Sequence, residues 1–180
     1  MKLKTLQTIL ILTGLLMVRL QAGAGPVTGL TNAPACIQLR DQFNALQKLS
    51  FPTTNLTLLT IADRKGSKQI PGWVKPVTER FGRRVEICGI ADMSSVPRPL
   101  RGLVRTQFRA LQSYPVMLDW TGDAVHAFAY QPGQADILLL DQDGKILYRT
   151  RGQAAEQSVQ DLCNVIGQAL PVGTTKTPVE

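Results

Sequence analysis

Three cysteines, one histidine and two groups of basic residues are the side chains from which this sequence can build chemistry. Thiol exchange needs an attacking thiolate and a second thiol to resolve the mixed disulfide. Cys36, Cys88 and Cys163 lie far apart, and none belongs to a Cys-x-x-Cys pair. Cys88 sits inside an apolar segment, Arg84 to Ile90 (RVEICGI), and reads as a small core residue. The alternative is a thiol-dependent oxidoreductase or peroxidase using Cys88, which needs a lowered pKa and solvent access; Ile87, Gly89 and Ile90 argue against both. His126 with distant carboxylates is too small a ligand set for a metal. Asp123 lies close to it, but no serine stands in a nucleophile-elbow context. No catalytic residue, metal or cofactor is therefore expected.

The basic groups suit binding better than catalysis. Arg64, Lys65 and Lys68, with Gly66 and Ser67 between them, precede a helical pattern. Free backbone N–H groups at a helix start favour anions, so an anionic ligand or an acidic partner group fits there. The plain alternative is a solvated loop, since no phosphate-loop pattern is present. Arg98, Arg101, Arg105 and Arg109 are spaced three, four and four apart, which lines them along one outer face of a second helix that carries no acid to pair with them. Such a row suits phosphate-bearing lipid headgroups, polyanions or an acidic protein; a face balanced by acids from elsewhere is the alternative. Without interleaved surface aromatics, nucleic acid is not an expected partner. The partner itself is open, with an acidic protein or an anionic envelope surface as the classes the charge allows.

These groups need elements to hold them. Lys2 and Lys4 precede an apolar run from Leu6 to Val18, and Ala22-Gly23-Ala24 offers small residues for cleavage, so 1–24 reads as a secretory signal peptide and the chain as periplasmic or secreted. The run is too short for a membrane span. Residues 25–54 form a lead-in and a helix, 55–170 one domain, and 171–180 a polar tail. The formal charge of +7 falls to +4 without Lys2, Lys4 and Arg19. The first helix is expected over Ala35 to Leu49, where Cys36, Leu39, Phe43 and Leu46 recur at helical spacing. Asn55 to Ile61 is a buried strand, Trp73 to Phe81 a helix and Arg84 to Ile90 a strand, which together make a βαβ unit with parallel strands. A helix over Pro99 to Gln112 turns Leu100, Leu103, Val104, Phe108 and Leu111 inward. Val116 to Trp120 is a short strand and Asp123 to Tyr130 a helix. Ile137 to Leu140 is an inner strand, and Asp141 and Asp143 belong to the turn that follows it. Lys145 to Thr150 pairs with that strand, Ile146 and Tyr148 sharing one face and basic side chains guarding the edge. The last helix, Ala155 to Leu170, is expected to bury Val159, Leu162, Cys163, Ile166 and Leu170. Cys36 and Cys163 thus both fall on buried helical stripes, and any disulfide is expected to join them and leave Cys88 free.

Tyr114-Pro115-Val116-Met117-Leu118-Asp119, then Gly122, Phe128 to Tyr130, Gly133, Leu138 to Ile146 and Gly152 resemble the second half of the thioredoxin superfamily, in its TlpA-like and peroxiredoxin-like branch. Ile90-Ala91-Asp92 and Gly102-Leu103-Val104-Arg105 are similar to periplasmic YtfJ-type proteins. The resemblance implies an α/β three-layer sandwich, a mixed central sheet with helices on both faces. It does not carry the family's activity across. The position of its Cys-x-x-Cys pair holds Asp63 to Lys68, and the position of its cis-proline holds Ala135. The implied role is that of a redox-inactive binding or accessory protein in the cell envelope.

Overall fold

The computed structural model describes residues 31–170. The expected signal peptide and tail lie outside the described residues. Cys36–Arg40 (β1) and Leu46–Ser50 (β2) pair as an antiparallel hairpin, with Cys36 opposite Ser50. This corrects the helix expected over 35–49. Cys36, Leu39, Phe43 and Leu46 do fit a helical period, but Ile37 and Leu49, paired across the hairpin, are the residues that bury. The turn decides between the two periods. Asp41 Oδ1 accepts the N–H groups of Phe43 and Ala45 at 2.8 and 2.9 Å, its Oδ2 accepts Gln47 Nε2 at 2.8 Å, and Asn44 takes a φ of 69°. Asp and Asn satisfy a turn backbone in this way and compete with helix.

Leu56–Ala62 (β3) is buried at every residue. Ile70–Phe81 (α1) leads to Val85–Asp92 (β4), which runs parallel to β3 from Leu56 opposite Val85 to Ala62 opposite Ala91. Arg101–Leu111 (α2), Met117–Asp119 (β5) and Asp123–Ala127 (α3) follow, then Asp136–Leu140 (β6), Ile146–Arg151 (β7) and Glu156–Ala169 (α4). The sheet order is β5-β4-β3-β6-β7, with β5 parallel to β4, β6 antiparallel to β3 and β7 antiparallel to β6. Leu56 to Ile61 and Ile137 to Leu140 are inner strands as expected, and Leu138 and Leu139 are fully buried.

Strand alternation splits the core in two. On one side Leu56, Leu58, Ile137 and Leu139 pack with Trp73, Val77 and Phe81 of α1 and Leu162, Cys163 and Ile166 of α4. On the other, Leu59, Ile61, Leu138 and Leu140 meet Val125 of α3, Phe128 and the hairpin's Ile37 and Leu49. The result is the mixed-sheet three-layer α/β sandwich that the residues suggested.

Three expectations are corrected by local physics. Ile146 and Tyr148 do not share a face: a register shift between Leu139 and Leu140 leaves Leu147 unmatched, so Ile146 stands opposite Leu140 and Tyr148 opposite Leu139. Arg149 is no edge guard but is buried against Asp136. The disulfide does not form either. Cys36, Cys88 and Cys163 are free thiols, with Cys36 exposed on the hairpin and Cys163 buried on the far side of the sheet between α4 and α1. The helical stripe that placed Cys36 in the core does not exist.

Candidate functional site

The carboxyl ends of β3, β4 and β5 form the edge at which open α/β sheets usually take ligands. Asp63, Asp92 and Asp119 stand there, and each carboxylate is already engaged. Asp63 Oδ1 accepts the N–H groups of Lys65 and Gly66 at 2.9 and 2.7 Å, its Oδ2 accepts Gly133 N–H at 2.8 Å, and its carbonyl accepts Ser67 N–H at 2.9 Å. Asp92 Oδ1 accepts the Ser94 N–H and hydroxyl. Asp119, fully buried, accepts from the Thr121, Gly122 and Val125 N–H groups. Among the described residues no group of His, Cys, Asp and Glu side chains is arranged to hold a metal.

The loop from Arg64 to Lys68 therefore brings its anion with it. Gly66–Gln69 makes a short 3₁₀ turn into α1, and the donors of Lys65 and Gly66 point at the Asp63 carboxylate rather than outward. The Ser67 hydroxyl donates to the Arg64 carbonyl. Gly66 is buried, and a Cβ there would overlap the Gln134 carbonyl. The loop thus lies directly on the segment that enters β6. Across that contact Gln69 Oε1 accepts the Ala135 N–H at 2.8 Å, a bond that a proline at 135 could not make. Tyr130 closes the third side: its hydroxyl donates to the Gln134 carbonyl and accepts the Asp63 N–H, and burial, ahead of the nearby carboxylates, pushes its pKa up to about 12.

Beneath this loop cluster lies an ion network on the hairpin of β6 and β7. Asp136 is fully buried and pairs with Arg149, also buried, and with Arg151 at 3.2 Å. The guanidinium groups of Arg149 and Arg151 reach on to the carbonyls of Phe128 and Ala129. One carboxylate and two carbonyls take up both cations, which a buried pair requires to offset its lost hydration. Sequence reasoning assigned no role to Asp63, Gln69 or Asp136 and the wrong one to Arg149. Asp63 three residues before Gly66 carries an Asx-turn signal, and Asp136, directly opposite Arg151 and diagonal to Arg149 on the hairpin, makes cross-strand pairs.

The thiols lie away from this edge. Cys88 is in β4 opposite Leu59, and burial, helped by the charge of Glu86, pushes its pKa up to about 12. The free thiol is thus the form present near neutral pH, the reverse of an activated nucleophile. His126 is exposed on α3, and Asp141 fills its turn role by accepting the N–H groups of Asp143 and Lys145.

The arginine row is split: Arg98 and Arg109 are exposed, and Arg101 and Arg105 are half-buried. Arg101 and Arg105 lie over the Trp120 ring, 5.4 and 5.7 Å from its centroid, and Arg101 donates to the carbonyls of Val96 and Trp120. Arg109 Nε donates to the Gln42 carbonyl at 2.6 Å. Arg101 thus combines a cation–π contact with bonds to carbonyls, which leucine cannot make, whereas the buried Arg105 Nε has no acceptor among the described residues. Arg98 alone of the four lies outside α2, exposed just before it. Leu100, Leu103 and Leu111 are exposed instead, Val104 and Phe108 stay half-buried beside Arg101 and Arg105, and no residue of α2 is fully buried.

No family model matches the chain, and no curated protein does. Solved structures do match. A protein assigned as the thiol:disulfide interchange protein DsbE of Chlorobium tepidum superposes with a TM-score of 0.59 at 14% identity, covering 79% of this chain and 99% of that one. The exposed lipoprotein thioredoxin Etrx1 of Streptococcus pneumoniae gives 0.57 at 12% identity over 72% and 98%. The peroxidoxin BcpB of Mycobacterium tuberculosis gives 0.54 at 14% over 81% and 100%. The fold is thioredoxin-like. At these identities the likeness carries architecture alone, so the chemistry of this thioredoxin-like chain rests on its own residues. No helix among the described residues is long and apolar enough to cross a membrane.

Proposed function

We propose that this is an exported thioredoxin-fold protein without dithiol activity, serving as a binding or accessory protein of the cell envelope. The observation that carries the reading is the closed loop at the end of β3. Where the resemblance puts a reactive pair of cysteines, Asp63 occupies the loop's own N–H donors and Gly66 lies against the Gln134 carbonyl. A substrate strand has no open backbone to pair with there, because the Ala135 N–H is held by Gln69 and its carbonyl accepts the Gly152 N–H. The raised pKa of Cys88 supports the same reading. Export rests on the apolar run after Lys2 and Lys4, and the likeness to YtfJ-type periplasmic sequences agrees with it.

Turnover assays test this directly. With dithiothreitol as reductant, the purified protein should reduce disulfides, and with peroxide consume it, no faster than a variant with Cys36, Cys88 and Cys163 all changed to Ser. Rapid labelling of Cys88 by a thiol reagent under native conditions, together with turnover lost in Cys88→Ser, would establish the oxidoreductase or peroxidase alternative instead.

A further inference from the structure

The outward face of α2 carries Leu103 and Leu111 among Thr106, Gln107 and Arg109, while Val104 and Phe108 are half-buried. Leu100, Leu103 and Leu111 are 48%, 58% and 78% exposed, and Tyr114 just beyond the helix is 57% exposed. The hairpin turn is fastened to the end of this helix. Gln42, fully buried, donates to the Gln112 and Tyr114 carbonyls and accepts the Val116 N–H. Phe43 and Leu46, 44% and 60% exposed, are thereby set beside the C-terminal end of α2. Of the seven large hydrophobic residues exposed among the described residues, only Ile87 falls outside these two adjoining segments. Exposed apolar residues scattered singly need no explanation; six of seven gathered on two joined segments do.

The charges around the band have one sign. Segments 36–50 and 98–115 carry Arg40, Lys48, Arg98, Arg101, Arg105 and Arg109 against a single acid, Asp41. That acid is buried with both oxygens occupied. Arg40, Lys48, Arg98 and Arg109 are exposed, and the β1–β2 register sets Arg40 opposite Leu46 with Lys48 on the same outward face. Leucines flanked by cations on a helix with no buried residue are the makeup of an element that lies in the interfacial plane of an anionic bilayer. A second copy of the chain fits less well, since a two-fold contact would bring the same cations together.

We infer that α2 and the adjoining hairpin turn form a docking ridge for an anionic lipid surface. Leu103 and Leu111 enter the acyl boundary, and Arg98, Arg109, Arg40 and Lys48 meet the phosphate-bearing headgroups. This goes beyond the accessory role proposed above and does not depend on whether any thiol turns over.

The test is co-sedimentation of the full chain with phosphatidylcholine vesicles containing about one third phosphatidylglycerol, against phosphatidylcholine alone. The apolar run from Leu6 to Val18 is present in every variant, so differences between variants read the ridge. Leu103→Gln with Leu111→Gln should lower partitioning about tenfold or more. Arg98→Gln with Arg109→Gln should lower it comparably and flatten its dependence on salt. An unchanged melting temperature shows that these exposed substitutions leave the fold intact. Equal partitioning of wild type and the leucine variant overturns the inference, as does equal binding to both kinds of vesicle. A concentration-dependent dimer or an acidic protein complex that is lost in the leucine variant, without any difference on vesicles, assigns the ridge to that partner and overturns it too.

Discussion

The loop cluster at the end of β3 and the ridge of α2 lie in one fold and treat their polar groups in opposite ways. Around Asp63 the backbone donors turn inward to a carboxylate of the chain itself, and Gly66 permits van der Waals contact with Gln134 where a thioredoxin-like protein has room for chemistry. Along α2 Arg101 and Arg105 turn inward to Trp120, and Leu103 and Leu111 are left outside. The first region is closed by the chain's own groups. Inverting the second creates a surface. A shared fold therefore says where a site would be, and the local partners of each donor say whether it is there.

The comparison breaks most readily at the ion network under the closed end. Asp136→Ala leaves Arg149 buried without its counter-charge and should cost about 3–5 kcal/mol in urea unfolding; a loss under 1 kcal/mol on that scale would mean the network does not hold the region shut. Gly66→Ala should cost about 1–3 kcal/mol, because its Cβ meets backbone at Gln134 that cannot rotate away. If Gly66→Ala is as stable as wild type, the loop does not lie on that segment. Alkaline pH gives a smaller effect. The raised pKa values of Cys88 and Tyr130 mean that the unfolded chain releases these protons first, so stability is unaffected below about pH 9 and falls as pH rises toward 12. Tyr130→Phe and Cys88→Ala should each flatten that fall, and unchanged slopes would remove the burial argument for the residue concerned. Least affected is the open region: Leu103→Gln and Leu111→Gln should each stay within about 0.5 kcal/mol of wild type.

Most of the sheet was legible in the sequence because it depends on patterns the chain states locally. The unbroken apolar runs at Leu56 and Ile137 could only be inner strands, and the helix between Leu56 and Ile90 required a parallel crossover. The hairpin was not legible from periodicity, since Cys36, Leu39, Phe43 and Leu46 fit a helix while Ile37 and Leu49 fit the hairpin, and the deciding group was one side chain, Asp41, satisfying a turn. α2 was legible as an amphipathic helix, but amphipathicity does not say which side is inward; the Trp120 ring, beyond β5, takes Arg101 and Arg105, with Val104 and Phe108 on the same side. At the candidate site the absence of thiols was visible from the start. The closure was not, because it depends on contacts between residue 66 and residue 134 and between residue 69 and residue 135.

The two tryptophans fall one to each of the contrasted environments. Trp73 is buried in the main core with its indole N–H on the Gly152 carbonyl, whereas Trp120 lies beneath two guanidinium groups and its indole N–H meets no acceptor among the described residues. Neighbouring cations shift and quench indole emission, so release of α2 from the body changes the Trp120 signal while Trp73 still reports an intact core. The chain thus carries its own pair of optical probes, and Trp73→Phe would leave one that watches the helix alone.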